Sequence, residues 1–278
     1  MRITDAQIHV ITRNSPERPW PYDVNEHHGW VEFGKDRVLA EMEAAGVDRA
    51  VLVPSAVEGN RNDTCLAAAQ AHPDRFAVVG RLALDESASR SVLPDFLEVP
   101  GMMGIRVSFN RGASGNWLDG TADWFWPAAE RARIPLYVNI PRMPARIRSI
   151  AQKYPQLKLA IDHLSLTTTL QDHEIDALLD ELVGLAPLPN VAVKATSLPS
   201  IANDVYPFKS MHARLERVLE AFGRHRVFWG SDLTKLPCPY RQCVTMFTEQ
   251  LDFLSTEDLD WFMGRALEEW FGWDAVRR

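Results

Sequence analysis

Asp5-Ala-Gln-Ile-His9 lies within the chain's first apolar run, Ile3 to Ile11, and alternates polar with apolar residues. A strand sends successive side chains to opposite faces. Asp5, Gln7 and His9 are therefore expected on one face, and Ala6, Ile8 and Val10 on the other. Polar groups on the inward face of a buried strand are costly unless something bonds to them or uses them. Two readings stay open for the stretch by itself: a polar edge strand, or the first wall of a pocket at the strand's C-terminal end.

Outward from this stretch the pattern repeats. Helical periodicity runs from Asp36 to Ala45 and stops at Gly46, a residue type common at helix ends. Arg49 to Pro54 reads as a buried strand. Further strands are expected at 76–84, 104–109, 135–140, 157–164, 190–195 and 226–232. Between them lie helical stretches near 64–71, 89–97, 122–132, 145–153, 174–185 and 212–222, and two more close the chain near 240–254 and 257–270. Eight apolar, mostly β-branched strands alternating with amphipathic helices fit a (β/α)8 TIM barrel in a chain of 278 residues. A doubly wound sheet would more often carry a glycine-rich turn after its first strand, and this sequence has none. No linker or low-complexity segment separates the units. Residues 1–278 read as a single α/β barrel domain with an extra C-terminal helix.

Composition bounds the function. Hydrophobic content of 46% and charged content of 24% match an ordinary soluble globular protein. A net charge of −7 argues against nucleic acid or an anionic membrane as partner, which leaves a small-molecule substrate. Cys65, Cys238 and Cys243 leave one cysteine over under any pairing and form no CxxC, which points to a reducing, cytoplasmic setting. The chain opens on no basic-then-apolar signal segment, and no apolar run approaches a membrane span. A homo-oligomer stays open.

In such a barrel the chemistry belongs at the C-terminal ends of the strands. The polar residues expected there are Gln7 and His9, Arg81, Arg106 and Ser108, Asn139, Asp162 and His163, Lys194 with Thr196 and Ser197, and Asp232. Each alone would ordinarily be a satisfied core or rim group, but a polar residue recurs at one end of nearly every strand. The segment from Asn14 to Gly34 is long for a loop and carries Trp20, Tyr22, His27, His28 and Trp30. Such loops are usually functional or disordered, and the aromatics favour a substrate lid over a packed surface loop. Pro237-Cys-Pro-Tyr-Arg241 follows Asp232, where the flanking prolines suggest a rigid loop and not a cysteine nucleophile.

The opening Asp5-x-Gln7-x-His9, the pair Asp162-His163, the triplet Gly230-Ser-Asp232 and the C-terminal Met263-Gly-Arg-Ala-Leu-Glu-Glu-Trp-Phe271 together resemble the amidohydrolase superfamily, in its amidohydrolase-related branch of lactonases and decarboxylases. In metal-dependent members a first-strand His-x-His, a fifth-strand His and the eighth-strand Asp bind a divalent ion, and the sixth-strand His is a general acid or base. On this chain those positions hold Gln7, His9, Asn139, Asp232 and His163. Two of four ligand positions are thus carboxamides, and a neutral amide oxygen is a poor donor to zinc. The resemblance therefore implies metal-independent hydrolysis of a lactone or ester, with no cofactor. Asp232, set beside Trp229, would activate water, while His9, Gln7, Asn139 or His163 would donate to the developing oxyanion. Arg81, Arg106 and Lys194 would suit a carboxylated substrate, with Trp20 also against it. For the two arginines an internal ion pair with Asp5 or Asp162 is the competing expectation. A zinc- or manganese-dependent decarboxylase or hydrolase, and an inactive binding protein, are the alternatives.

Overall fold

The computed structural model describes residues 1–109 and 120–273. Eight strands form one parallel sheet in sequential order. They are β1 (Thr4–Ile8), β2 (Arg49–Leu52), β3 (Phe76–Gly80), β4 (Met102–Ser108), β5 (Leu136–Asn139), β6 (Leu159–Ile161), β7 (Val191–Thr196) and β8 (Val227–Gly230). Asp232 N donates to Gln7 O at 3.0 Å, and Ser231 N donates to the Asp5 carboxylate at 3.0 and 3.1 Å. These bonds bring the end of β8 back to β1. The chain folds as the expected (β/α)8 barrel.

Each strand feeds two apolar layers, as alternation in a parallel sheet requires. One layer takes Ala6, Val51, Ala77, Val79, Met103, Tyr137, Ala160, Ala192 and Phe228 from all eight strands, and adds Leu267, Phe271 and Trp273. It is the barrel interior, with the C-terminal segment as its floor. The other layer joins strand residues such as Ile8, Leu52 and Val193 to the inner faces of the helices Lys35–Ala45, Asp172–Val183 and His212–Phe222. Trp229 belongs to this outer layer, near Phe247, so it does not stand beside Asp232 in the barrel mouth as expected.

Alternation fails in the first strand. The β1–β2 register shifts between Asp5 and Ile8. Ala6 lines the interior, yet Gln7 reaches Lys194 inside the barrel. Asp5, expected on the face of Gln7 and His9, turns to the seam, where it accepts from Ser231 N, Gln7 N (2.8 Å) and the Tyr240 hydroxyl (2.5 Å). Gly230 makes room for it, because a Cβ there would stand 2.8 Å from Asp5 Oδ1. The stretch that frames the pocket also closes the barrel.

Two of the expected helices are broken into shorter pieces. The helix expected at 89–97 is split into Ser89–Val92 and a 3₁₀ turn, Phe96–Glu98, with Pro94, which lacks an N–H, between them. The expected last helix is Thr256–Asp260, a π-helical turn Trp261–Arg265 and Ala266–Phe271. The segment 14–34 is ordered: Ile11 bridges Phe33, His27 bridges Trp30, and Arg18 binds Glu58 at 2.7 Å and Asp63 at 2.6 Å. Among the described residues, no helix is long and apolar enough to cross a membrane.

Candidate active site

A cavity of about 750 Å³ opens at the C-terminal ends of the strands. Its wall includes His9, Arg106, Asn139 and His163 from the sequence-derived set, together with His27, His28 and Lys235. The backbone that carries the polar groups is unusual. His163, Ser197 and Asp232 each follow a strand in the left-handed conformation, with φ of 53°, 62° and 56°. Non-glycine residues rarely adopt it, and clusters of them mark sites where position outweighs backbone comfort.

Asp232 sits at the base of this wall, fully buried. Ser197 Oγ donates to its Oδ2 at 2.7 Å, and Lys235 Nζ lies 3.1 Å from the same oxygen. His163 Nε2 stands 3.9 Å from Oδ2. Burial alone would raise this carboxyl's pKa, but the Lys235 ammonium beside it outweighs burial, and the pKa is held well below the ordinary range. Asp232 is therefore ionised at neutral pH. Among the described residues no donor bonds to its Oδ1, which lies 3.3 Å from His9 Nε2.

His9 is fixed from behind. Its Nδ1 is 2.7 Å from Val53 O, a carbonyl that only accepts, so the ring carries its proton on Nδ1. Burial keeps the imidazole neutral by lowering its pKa. Nε2 then presents a lone pair, which makes neutral His9 an acceptor and not the oxyanion donor expected from sequence. His163 differs. Its Nδ1 meets Thr196 Oγ1 at 2.7 Å, and a hydroxyl serves either tautomer. Burial pushes its pKa down to about 3, so it too is neutral.

Gln7 and Lys194 lie below the cavity and not on its wall. Lys194 is fully buried; its Nζ is 2.5 Å from Gln7 Oε1 and 2.8 Å from Asp162 Oδ1. Asp162 Oδ2 accepts from Arg106 Nε at 2.7 Å, which realises the expected ion pair for that arginine. Arg81 has no such partner among the described residues. Its Nε donates to Pro54 O, its Nη2 is buried without a partner, and burial with Arg106 nearby pushes its pKa down to about 9. Trp20 packs into the outer layer with its indole N–H on Thr12 O at 3.0 Å, which keeps it away from the cavity wall.

The loop supplies histidines instead. His27 and His28 stack with ring centres 3.7 Å apart, and His28 is 5.7 Å from His9. Ser55 Oγ is 2.6 Å from His27, and Thr234 Oγ1 is 2.9 Å from His28. Trp30 Nε1 donates to Thr234 O at 3.1 Å, so the loop is pinned across the mouth to the turn after β8. Sequence reading missed Lys235 and Thr234. The turn Leu233–Lys235 that aims them follows a left-handed aspartate, which no residue pattern announces.

The donor set does not suit a transition metal. Gln7 Oε1 is already bonded to an ammonium, and its Nε2 stands 3.3 Å from His9 Nε2. Among the described residues, no three His, Cys, Asp or Glu side chains are grouped as a metal site would need.

Comparisons with known proteins agree with the architecture. 4-sulfomuconolactone hydrolase of Hydrogenophaga intermedia is 26% identical over 235 residues, covering 82% of this chain and 73% of that protein. L-fucono-1,5-lactonase of Burkholderia ambifaria is 24% identical over 236 residues, covering 82% and 79%. The fold is shared with a Burkholderia multivorans amidohydrolase solved with bound zinc, at a TM-score of 0.79 and 17% identity over 98% of this chain and 99% of that one. A family model described as amidohydrolase matches residues 4–273. With eight strands in barrel order, the polar groups at their C-terminal ends and that match over nearly the full length, the chain belongs to the amidohydrolase family and is an enzyme of it.

Proposed function

We propose that the enzyme hydrolyses a lactone of a small carboxylated molecule without a metal ion, with Asp232 as general base. The observation that carries this reading is the buried, ionised Asp232, whose Oδ1, without a donor among the described residues, lies 3.3 Å from His9 Nε2 at the cavity floor. Water placed against Oδ1 donates one hydrogen to that carboxylate oxygen, while the single lone pair of His9 Nε2 is turned toward the Gln7 amide 3.3 Å away. The water oxygen is then turned toward the cavity, where a lactone carbonyl would stand.

As water attacks, its proton passes to Asp232 Oδ1 and negative charge builds on the carbonyl oxygen. Asn139 and His163 line the same cavity. With Thr196 donating to His163 Nδ1, the ring offers Nε2–H, and the Asn139 amide supplies a second donor for the oxyanion. Collapse of the tetrahedral intermediate breaks the ring C–O bond. The proton held by Asp232 then goes to the leaving oxygen, and a hydroxy acid departs. Arg106 and Lys235 on the cavity wall supply the positive charge that a second carboxylate would require. The two lactone-hydrolysing relatives support the substrate class.

The test is hydrolysis of a lactone panel by pH-stat, before and after exhaustive chelation with metal content measured alongside. Equal turnover by chelated protein is the expected result, with carboxylated lactones preferred over neutral ones. An activity abolished by chelation and restored by zinc or manganese would transfer the site to the metal-dependent alternative.

A further inference from the structure

We infer that Lys194 is a positioning residue that does inside this barrel what a bound divalent cation would do: it fixes Gln7, and through Gln7 it orients His9, while excluding metal from the place it commands. This rests on the metal-independent reading above.

The ammonium has three kinds of neighbour that favour a cation. They are Gln7 Oε1 at 2.5 Å, Asp162 Oδ1 at 2.8 Å and the face of Tyr137, whose ring centre is 3.5 Å away. Lys194 has no solvent exposure at all. A charge taken this far out of water is costly to keep. Among the described residues it reaches the cavity through Gln7 on one side and Asp162, shared with Arg106, on the other.

The orientation of Gln7 follows from chemistry alone. An ammonium only donates, so the amide must turn its oxygen toward Lys194 and its NH2 toward His9 Nε2, 3.3 Å away. That oxygen is the atom a metal at this position would need. Lys194 and Arg106 against the single Asp162 carboxylate also leave one positive charge over, so a divalent ion placed beside His9 meets repulsion from below.

Zinc is the probe. Wild type, Gln7→His, Lys194→Met and Gln7→His/Lys194→Met are titrated against a chromophoric chelator, with circular dichroism and thermal unfolding confirming that each is folded. The double variant is expected to bind about one zinc per chain, at least roughly 100-fold more tightly than Gln7→His alone or Lys194→Met alone, because it both gains an imidazole donor and lacks the opposing charge. Equal zinc affinity in Gln7→His and the double variant overturns the inference and leaves the metal-independent reading intact. Wild type that retains zinc through chelation instead overturns that reading. Should methionine at 194 prevent folding, Gln7→His/Lys194→Gln replaces the double variant under the same expectation.

Discussion

Asp232 and His163 decide the pH behaviour of single residues. Asp232→Asn preserves shape and removes basicity, so turnover of a lactone should fall about 10²–10⁴-fold with folding unchanged. Near-normal turnover in the variant would remove Asp232 from the role of base. Because Asp232 is ionised, and His163 neutral, well below neutral pH, neither should produce an acid limb in kcat/KM between about pH 5 and 7. Stability behaves differently. A histidine whose folded pKa is lowered binds more protons when unfolded, so the fold is favoured above the unfolded pKa of 6.5 and weakens as pH falls toward about 3. From pH 6.5 to 5 this one buried group should cost roughly 2 kcal/mol, and a folded His163→Gln variant should lack that slope in urea unfolding. Asp232 and His163 were legible in sequence because each follows a strand in a recognisable pair or triplet. The Gln7–Lys194 bond was not, since it joins residues 187 positions apart and no periodicity records which polar groups meet across a barrel. Trp20 was misplaced for a related reason: an aromatic in a long loop serves a lid or a core equally well until its indole N–H finds Thr12 O.

Among the elements, the β8–β1 seam carries the sharpest expectations. Regular pairing runs from β1 through β8 in order, while Asp5 accepts at the seam from Ser231, Gln7 and Tyr240. Tyr240→Phe removes a hydroxyl donor 2.5 Å from a buried carboxylate, so it should cost about 1.5–3 kcal/mol by chemical denaturation. Gly230→Ala should cost a comparable 1–3 kcal/mol. Its new Cβ would meet Thr196 Cγ2 at 2.7 Å, Ala6 N at 2.8 Å and Asp5 Oδ1 at 2.8 Å. A neutral Gly230→Ala variant would show that the seam is looser than described. Element order and type were readable from β-branched runs and helical periodicity, which is why all eight strands fall where expected. The irregularity in β1 was not readable. Strict alternation put Asp5 with Gln7 and His9, whereas the register shift between Asp5 and Ile8 sends Asp5 to close the barrel. A bulge leaves no mark in a pattern of polar and apolar residues.

For the whole molecule, the barrel separates a catalytic end from a structural end, and the floor tests that division. The cavity lies past the C-terminal ends of the strands, while Leu267, Phe271 and Trp273 pack with the interior layer at the other end. Phe271 meets Tyr137 edge-on with ring centres 5.0 Å apart and lies 6.4 Å from Phe228. Gly104 faces it so closely that a Cβ there would stand 3.2 Å from the Phe271 ring. Ordering this C-terminal segment costs conformational freedom, which its packing into the floor must offset. Phe271→Ala should therefore open a cavity among Tyr137, Phe228 and Gly104 and cost about 3–5 kcal/mol. In a protein of this length that lowers the midpoint of thermal unfolding by roughly 5–10 °C. Turnover per folded molecule should stay within about twofold at a temperature where the variant remains folded, since the lost contacts are uniform between free enzyme and transition state. The measurement pairs calorimetry with kcat on the same preparation. A variant that keeps its midpoint but loses turnover would mean that the floor communicates with Lys194 and Gln7 above Tyr137, and the separation of the two ends would have to be abandoned.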